Sequence, residues 1–193
     1  MFPDRANLYQ LNIILLKLVI RTRSETCYLN ELLILAAFIF TFTHTMTWIC
    51  KPFSELTIHE LYAVLQLRNA VFVVEQNCPY NDCDYKDLEA WHLLGMENEK
   101  LLAYARLIPA GISYRESSIG RVVSSPEARG KGLGKELMQE SIQRTKQLFH
   151  TESIRIGAQL YLQYFYSRFG FIKDSDVYLE DNIPHIEMLI KPK

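Results

Sequence analysis

The hydrophobic pattern changes character near residue 46. Before it, apolar residues gather in two runs, 13–20 and 32–43, and the first 45 residues contain no glycine. After it, apolar positions recur with the periods of strands and helices. Residues 48–53 read as a strand. Thr57-x-x-Glu60 is a capping box, and the helix it starts puts Leu61, Val64, Leu65, Arg68 and Phe72 near one face. Residues 77–89 are polar, without a period, and read as a loop. Residues 91–97 and 101–108 read as two strands around Asn98-Glu99, a hairpin signal. A loop over 109–116 precedes a β-branched strand at 118–125. A turn at Pro126 and a glycine-rich stretch then open a helix that aligns Leu133, Leu137, Met138, Ile142, Leu148 and Phe149. Residues 153–158 form a short strand. Residues 159–169 read as an aromatic-rich helix stopped by Gly170. Two closing strands, 177–180 and 185–190, flank Asn182 and Pro184. The order β-α-β-β-β-α-β-α-β-β predicts an α+β fold on a mixed sheet.

Residues 32–50 carry no Asp, Glu, Lys or Arg. That length could span a bilayer, and Arg21 and Arg23 precede it as a basic flank, but Thr41, Thr43, His44 and Thr45 dilute its apolar core. One reading makes Met46 the natural start and residues 1–45 spurious upstream translation. The others are a membrane anchor or targeting segment, or an ordered extra helix. Residues 46–193 are the catalytic-domain candidate in each case.

The chain of 193 residues has a formal charge of −1, and residues 46–193 alone have −2. A dedicated nucleic-acid binder would show a basic stripe instead. The cysteines at 27, 50, 78 and 83 form no Cys-x-x-Cys pair, so no zinc site is expected. They read as reduced thiols in a cytoplasmic protein.

The chemistry concentrates at residues 118–134. Glycines let backbone approach a ligand closely. A glycine-rich turn entering a helix presents free N–H groups and the positive end of the helix dipole, which suits a pyrophosphate. The loop lacks the Gly-Lys-Ser/Thr ending of a Walker motif, and the strand after it lacks the terminal acid of a dinucleotide fold.

Arg129-x-x-Gly132-x-Gly134 resembles the acyl-CoA loop of the GNAT acetyltransferases. Tyr164-Phe165-Tyr166-Ser167-Arg168-Phe169-Gly170-Phe171 resembles a second signature of that superfamily. Residues 65–80, Ala103-Tyr104-Ala105-Arg106, Gly157-Ala158-Gln159 and residues 181–186 are similar to its ElaA-type branch. The resemblance covers residue 46 to the end. It implies a mostly antiparallel sheet of about seven strands with helices on both faces and a split between strands 4 and 5. It implies acetyl-CoA as co-substrate, with no metal. Arg121, Val122 and Val123 would lie along the pantetheine arm, and Arg129, Gly130, Lys131, Gly132, Leu133 and Gly134 would hold the pyrophosphate. A Gly132→Val change should block that approach. The resemblance implies transfer of an acetyl group to a small-molecule or peptide amine by direct attack. Tyr166 takes the family's tyrosine position, facing the departing thiolate; as an ordinary residue it would be a core aromatic.

The general base stays open among Glu75, His92 and His185, with a water chain needing none of them. Arg68, Arg106 and Arg121 are unusual in apolar surroundings and need carboxylate partners; Glu75, Asp84, Glu180 and Asp181 are the candidates. A functional reading makes Arg68 and Arg106 ligands for an acceptor's carboxylate; the alternative is an internal ion-pair network. Arg68-x-x-x-Phe72 also resembles the start of the acyl-homoserine-lactone synthase pattern, but the tryptophan expected after Phe72 is missing. A non-catalytic CoA-binding module is the third reading. Membrane association would depend wholly on residues 1–45, and a homodimer stays open because dimers are common among such proteins.

Overall fold

The computed structural model describes residues 46–192, within one compact unit of Met46–Lys193. The expectations for residues 1–45 lie outside the described residues.

Eight strands form one sheet in the order β1-β2-β3-β4-β5-β8-β6, with β7 also pairing β8. They are β1 (Thr47–Pro52), β2 (Trp91–Glu97), β3 (Lys100–Ile108), β4 (Ser117–Ser124), β5 (Ile154–Gln159), β6 (Ile172–Lys173), β7 (Tyr178–Glu180) and β8 (Ile183–Ile190). Every pairing is antiparallel except β4 with β5. The sequence predicts seven strands. The eighth, β6, is two residues long, too short to show a period. The hairpin turn between β2 and β3 has Asn98 at φ 49° and Glu99 at φ 65°. Two successive left-handed residues match the twist of the strands they join.

Helix α1 (Ile58–Arg68) begins at the capping box: Glu60 N–H donates to Thr57 Oγ1 at 3.2 Å, and Thr57 N–H donates to Glu60 Oε2 at 2.8 Å. A π-helical segment (Asn69–Glu75) extends it. Val64, Leu67 and Val71 pack with Tyr104 and Val123 on one face of the sheet. Helix α2 (Leu133–Phe149) covers the other face, where Leu137 and Met138 meet Ile154 and Ile156. Each such fully buried aliphatic side chain stabilises the fold by roughly 1.5–3 kcal/mol. The aromatic helix expected over 159–169 is shorter: a 3-10 turn (Leu160–Leu162) leads into α3 (Gln163–Ser167). Gly170, at φ 90°, ends the segment as expected.

Two features of β4 open the sheet. Its parallel ladder with β5 has two register pairs, Ser117↔Ile154 and Ser118↔Arg155, and the strands then part. β5 keeps its full pairing with β8 on its other side. Arg155 fastens the closed end by ion pairs to Glu116 (2.9 Å), Asp174 (2.9 Å) and Glu187 (2.7 Å). The second feature is a bulge. Arg106 pairs Gly120 and Tyr104 pairs Val123, so β4 holds one residue more than β3 between these points. Arg121 absorbs the extra residue at φ 52°. A bulge re-aims backbone and side chains locally, and this one lies beside the split.

Candidate active site

A cavity of about 630 Å³ occupies the split. Alternation along the strands decides which side chains face it from where. Leu107 and Ile119 are register partners that point into the α2-side core, as do Ile154, Ile156 and Ala158. Arg106, Ser118 and Gly120 therefore lie on the α1 face, together with Gly157 and Gln159.

Val122, Val123, Ser124, Arg129, Tyr161 and Tyr166 line one part of the cavity. Beyond its rim is the glycine-rich loop. Gly130 (φ 76°) and Gly132 (φ 85°) adopt left-handed backbone, and Gly132 caps α2 with no side chain. Lys135 N–H donates to Gly132 O at 2.9 Å, the first turn of α2. The amides of residues 130–134 stand ahead of that bond at an exposed helix start, with Lys131 beside them. Leu133 offers only its backbone, since its side chain is core. The loop thus suits a phosphate, while the cavity suits an elongated arm reaching from it.

Tyr166 sits at the cavity wall, 7% exposed, against Phe165 and Phe171. Its hydroxyl makes no hydrogen bond to another described residue. Burial, with a smaller effect of Tyr161, pushes its pKa up to about 12. It is a neutral donor over the whole physiological range.

The three candidate bases separate. Glu75 lines the cavity but forms a bidentate pair with Arg129 at 2.8 and 2.9 Å, and the Arg129 hydrogen bond holds its carboxyl below the usual range. His92 lies outside the cavity and is buried. Its Nε2–H donates to Asp87 O at 3.0 Å, and its Nδ1 accepts from Tyr104 Oη at 2.8 Å. Burial lowers its pKa, so it stays neutral with both nitrogens engaged. The expectation of His92 as a base is corrected on that ground. His185 lines the cavity, stacked on Tyr178. Its Nδ1 faces the Ile183 carbonyl at 2.8 Å, which fixes the proton there and leaves Nε2 as the basic nitrogen.

The arginines form an ion-pair network. Arg68, fully buried, donates to Asp82 and Asp87 at 2.7 Å each and lies over the Tyr104 ring. Arg106 holds Asp84 (2.6 Å) and Asp87 (3.0 Å). Arg121 holds Asp82 (2.6 Å) and stacks on Tyr80. Arg68 is outside the cavity, so its expected contact with an acceptor is corrected: Asp82 and Asp87 consume its charge. Arg106 reaches the lining, but already paired. The Arg121 side chain lines the cavity beside Val122 and Val123 while paired to the acidic loop. Among the expected partners only Asp84 serves; Asp82 and Asp87 were missed, although three acids at 82, 84 and 87 matching three arginines was a readable signal. Ser118, Tyr114 and Tyr178 were also missed, since no spacing distinguishes them. Among the described residues no group of acids, histidines and cysteines could hold a metal, and no helix is long and apolar enough to cross a membrane.

Residues 71–192 match the family model described as an acetyltransferase (GNAT) domain. The chain belongs to the GNAT acetyltransferase family. It is 47% identical over 137 residues to protein ElaA of Escherichia coli K12, covering 70% of this chain and 90% of that protein. The crystal structure of E. coli ElaA superposes with a TM-score of 0.72 at 43% identity, covering 76% of this chain and all of that one. An acyl-CoA N-acyltransferase from Pseudomonas aeruginosa matches with a TM-score of 0.73 at 46% identity, over the same shares. The GNAT fold accounts for the split between β4 and β5 and for the helices on both faces of the sheet.

Proposed function

We propose that this GNAT protein transfers an acetyl group from acetyl-CoA to an amine by direct attack in a ternary complex. The observation that carries the reading is the neutral, unbonded Tyr166 hydroxyl on a cavity in the parted strands, with a glycine-capped helix start just beyond its Arg129 rim.

The amides of residues 130–134, with Arg129 and Lys131, would take the pyrophosphate. Backbone groups of Val122 and Val123 would pair with the pantetheine arm beside the bulge. His185 Nε2 would accept the amine proton. Once attack begins, backbone N–H groups near the bulge would stabilise the charge developing on the carbonyl oxygen. Tyr166 faces the departing sulfur. A thiol of pKa about 8.5 is a stronger acid than a phenol near 12, so full proton transfer from Tyr166 runs uphill. Its role is a hydrogen bond that stabilises the thiolate as the C–S bond breaks.

The test is release of free CoA thiol from acetyl-CoA as a function of added amine. Tyr166→Phe is expected to lower kcat about 100-fold while leaving acetyl-CoA affinity within about twofold. Unchanged kcat in a folded variant would make Tyr166 a core aromatic.

A further inference from the structure

The Arg106 guanidinium is paired at its tip and free along one side. Nη1 and Nη2 donate to the two oxygens of Asp84 at 2.6 and 2.8 Å, and Nη1 also donates to Asp87 at 3.0 Å. A guanidinium holds five N–H donors in a fixed fork. The two left over, on Nε and on the outer side of Nη2, share one edge. Nε has no partner, although Arg106 is 3% exposed. Such an edge matches the two oxygens of a carboxylate. Ser118 stands beside it. Arg106 pairs Gly120 and Ile108 pairs Ser118, so Arg106 and Ser118 are diagonal neighbours on the α1 face, close enough for one small group to touch both. Ser118 is also 3% exposed, and its Oγ has no partner. Both residues line the cavity.

The floor between them is bare, since a Cβ at Gly120 would meet nothing within 4 Å. A buried polar group left unpaired is costly, and a ligand oxygen at this place would satisfy two of them at once. The charge balance agrees. Arg106 and Arg121 are neutralised by Asp82, Asp84 and Asp87. Lys86 is not: it is half-buried, lines the cavity and has no ion-pair partner among the described residues. Its backbone N–H donates at 3.1 Å to the Asp84 Oδ1 that Arg106 holds, so it belongs to this end. The lining carboxylates Glu180 and Asp181 stand at the other end. They precede Ile183 at the β7–β8 turn, whereas Ser118 pairs Arg155, whose β8 partner is Leu189.

We propose that the free edge of Arg106 and the hydroxyl of Ser118 form a carboxylate-binding subsite, so that the acceptor is a primary amine that also carries a carboxylate. The proposal rests on the acetyl-transfer reading above. The carboxylate lies over Gly120, taking the N–H pair of Arg106 on one side and the Ser118 O–H on the other, and Lys86 balances its charge. The amine points toward His185. Ser118 pairs Arg155, which sets Gly120 level with Gly157, and His185 pairs Gln159, two residues further on. Two strand residues span about 7 Å, which suits a spacer of about three methylenes better than an α-amino acid. The transfer forms an N–C bond and breaks the C–S bond; the amine proton passes to His185 Nε2 and the electron pair leaves on sulfur.

The probes are 4-aminobutyrate, butylamine and 1,4-diaminobutane, which share a length and differ in the charge at the far end. Full-length protein is assayed by thiol release from acetyl-CoA, and binding of each amine to CoA-loaded protein is followed by calorimetry. 4-Aminobutyrate is expected to exceed butylamine at least about tenfold in kcat/KM, as hydrogen bonds to a charged group allow. Ser118→Ala and Lys86→Gln should each cut that preference about threefold or more, through KM rather than kcat. Arg106→Lys keeps a charge for Asp84 and Asp87 but has no side edge, and should abolish the preference in protein that thermal unfolding shows to be folded. Preference for butylamine or the diamine, or a preference for 4-aminobutyrate that survives Ser118→Ala and Lys86→Gln undiminished, would overturn the proposal. Faster transfer to butylamine from succinyl-CoA than from acetyl-CoA, lost in Ser118→Ala, would place the carboxylate on the acyl donor and overturn it as well. Binding of 4-aminobutyrate that depends on Ser118 and Lys86 without any acetyl transfer would support the subsite and refute the acyltransferase reading. No 4-aminobutyrate binding to folded, CoA-loaded protein would overturn the subsite alone.

Discussion

Arg68 holds a full charge where water does not reach, and two aspartates and the face of Tyr104 receive it. Asp87 also serves Arg106, so one carboxylate joins α1, β3 and the 3-10 turn at Lys86–Glu89. Removing one partner from such a network leaves an uncompensated buried charge, which typically costs about 3–5 kcal/mol. Asp87→Ala is therefore expected to lower the stability measured by urea unfolding by about 3 kcal/mol; a change below about 1 kcal/mol would refute a shared role for Asp87. The arginines were conspicuous in the sequence because they interrupt apolar periods. Their partners were not, because the polar stretch 77–89 has no period and pairing across it depends on the fold. Tyr166 was legible from its place in a motif. Ser118 was not, because an unpartnered hydroxyl is a property of its surroundings.

At the scale of elements, the glycine-rich loop combines two kinds of glycine. Gly132 is left-handed at φ 85°, and any side chain there costs roughly 1–2 kcal/mol in backbone strain. A Gly132→Val change therefore mixes strain with steric blocking of a ligand. Gly134 lies in the first turn of α2 with nothing within 4 Å of a Cβ. Gly134→Leu suits the helix and is expected to keep or raise the Tm while weakening acetyl-CoA at least about tenfold by covering the loop amides. Retained affinity would place the phosphate elsewhere. The long elements with caps and turn pairs were readable: α1 from its capping box, β2 and β3 from Asn98-Glu99, α2 from its apolar stripe. The π-helical extension of α1 and the shortened α3 were not. Both lie where local helix preference yields to contacts made by other parts of the fold.

For the whole molecule, acid acts through the ion-pair network. Burial raises the Asp84 carboxyl, but the hydrogen bond and charge of Arg106 with the charge of Arg121 outweigh it and leave the pKa at about 2; Asp82 is lowered in the same way by Arg68. Carboxyls depressed on folding contribute stability above their ordinary range near 3.8, and that contribution is lost as pH falls toward 2. Burial lowers His92 below its ordinary 6.5, so the unfolded chain binds its proton first and stability begins to decline as pH falls below about 6.5. Thermal unfolding from pH 8 to 3 is expected to show a neutral plateau, a shallow fall below about 6.5 and a steeper one below about 4. His92→Gln should remove the shallow limb. A Tm that rises on acidification would contradict both assignments.

Loop, split and tyrosine together serve one purpose only if the protein binds acetyl-CoA. Calorimetric titration of acetyl-CoA into the full chain tests that most directly. The account expects one site per chain with a dissociation constant of micromolar order, about −8 kcal/mol. A folded protein that takes up no acetyl-CoA at millimolar concentration would contradict it.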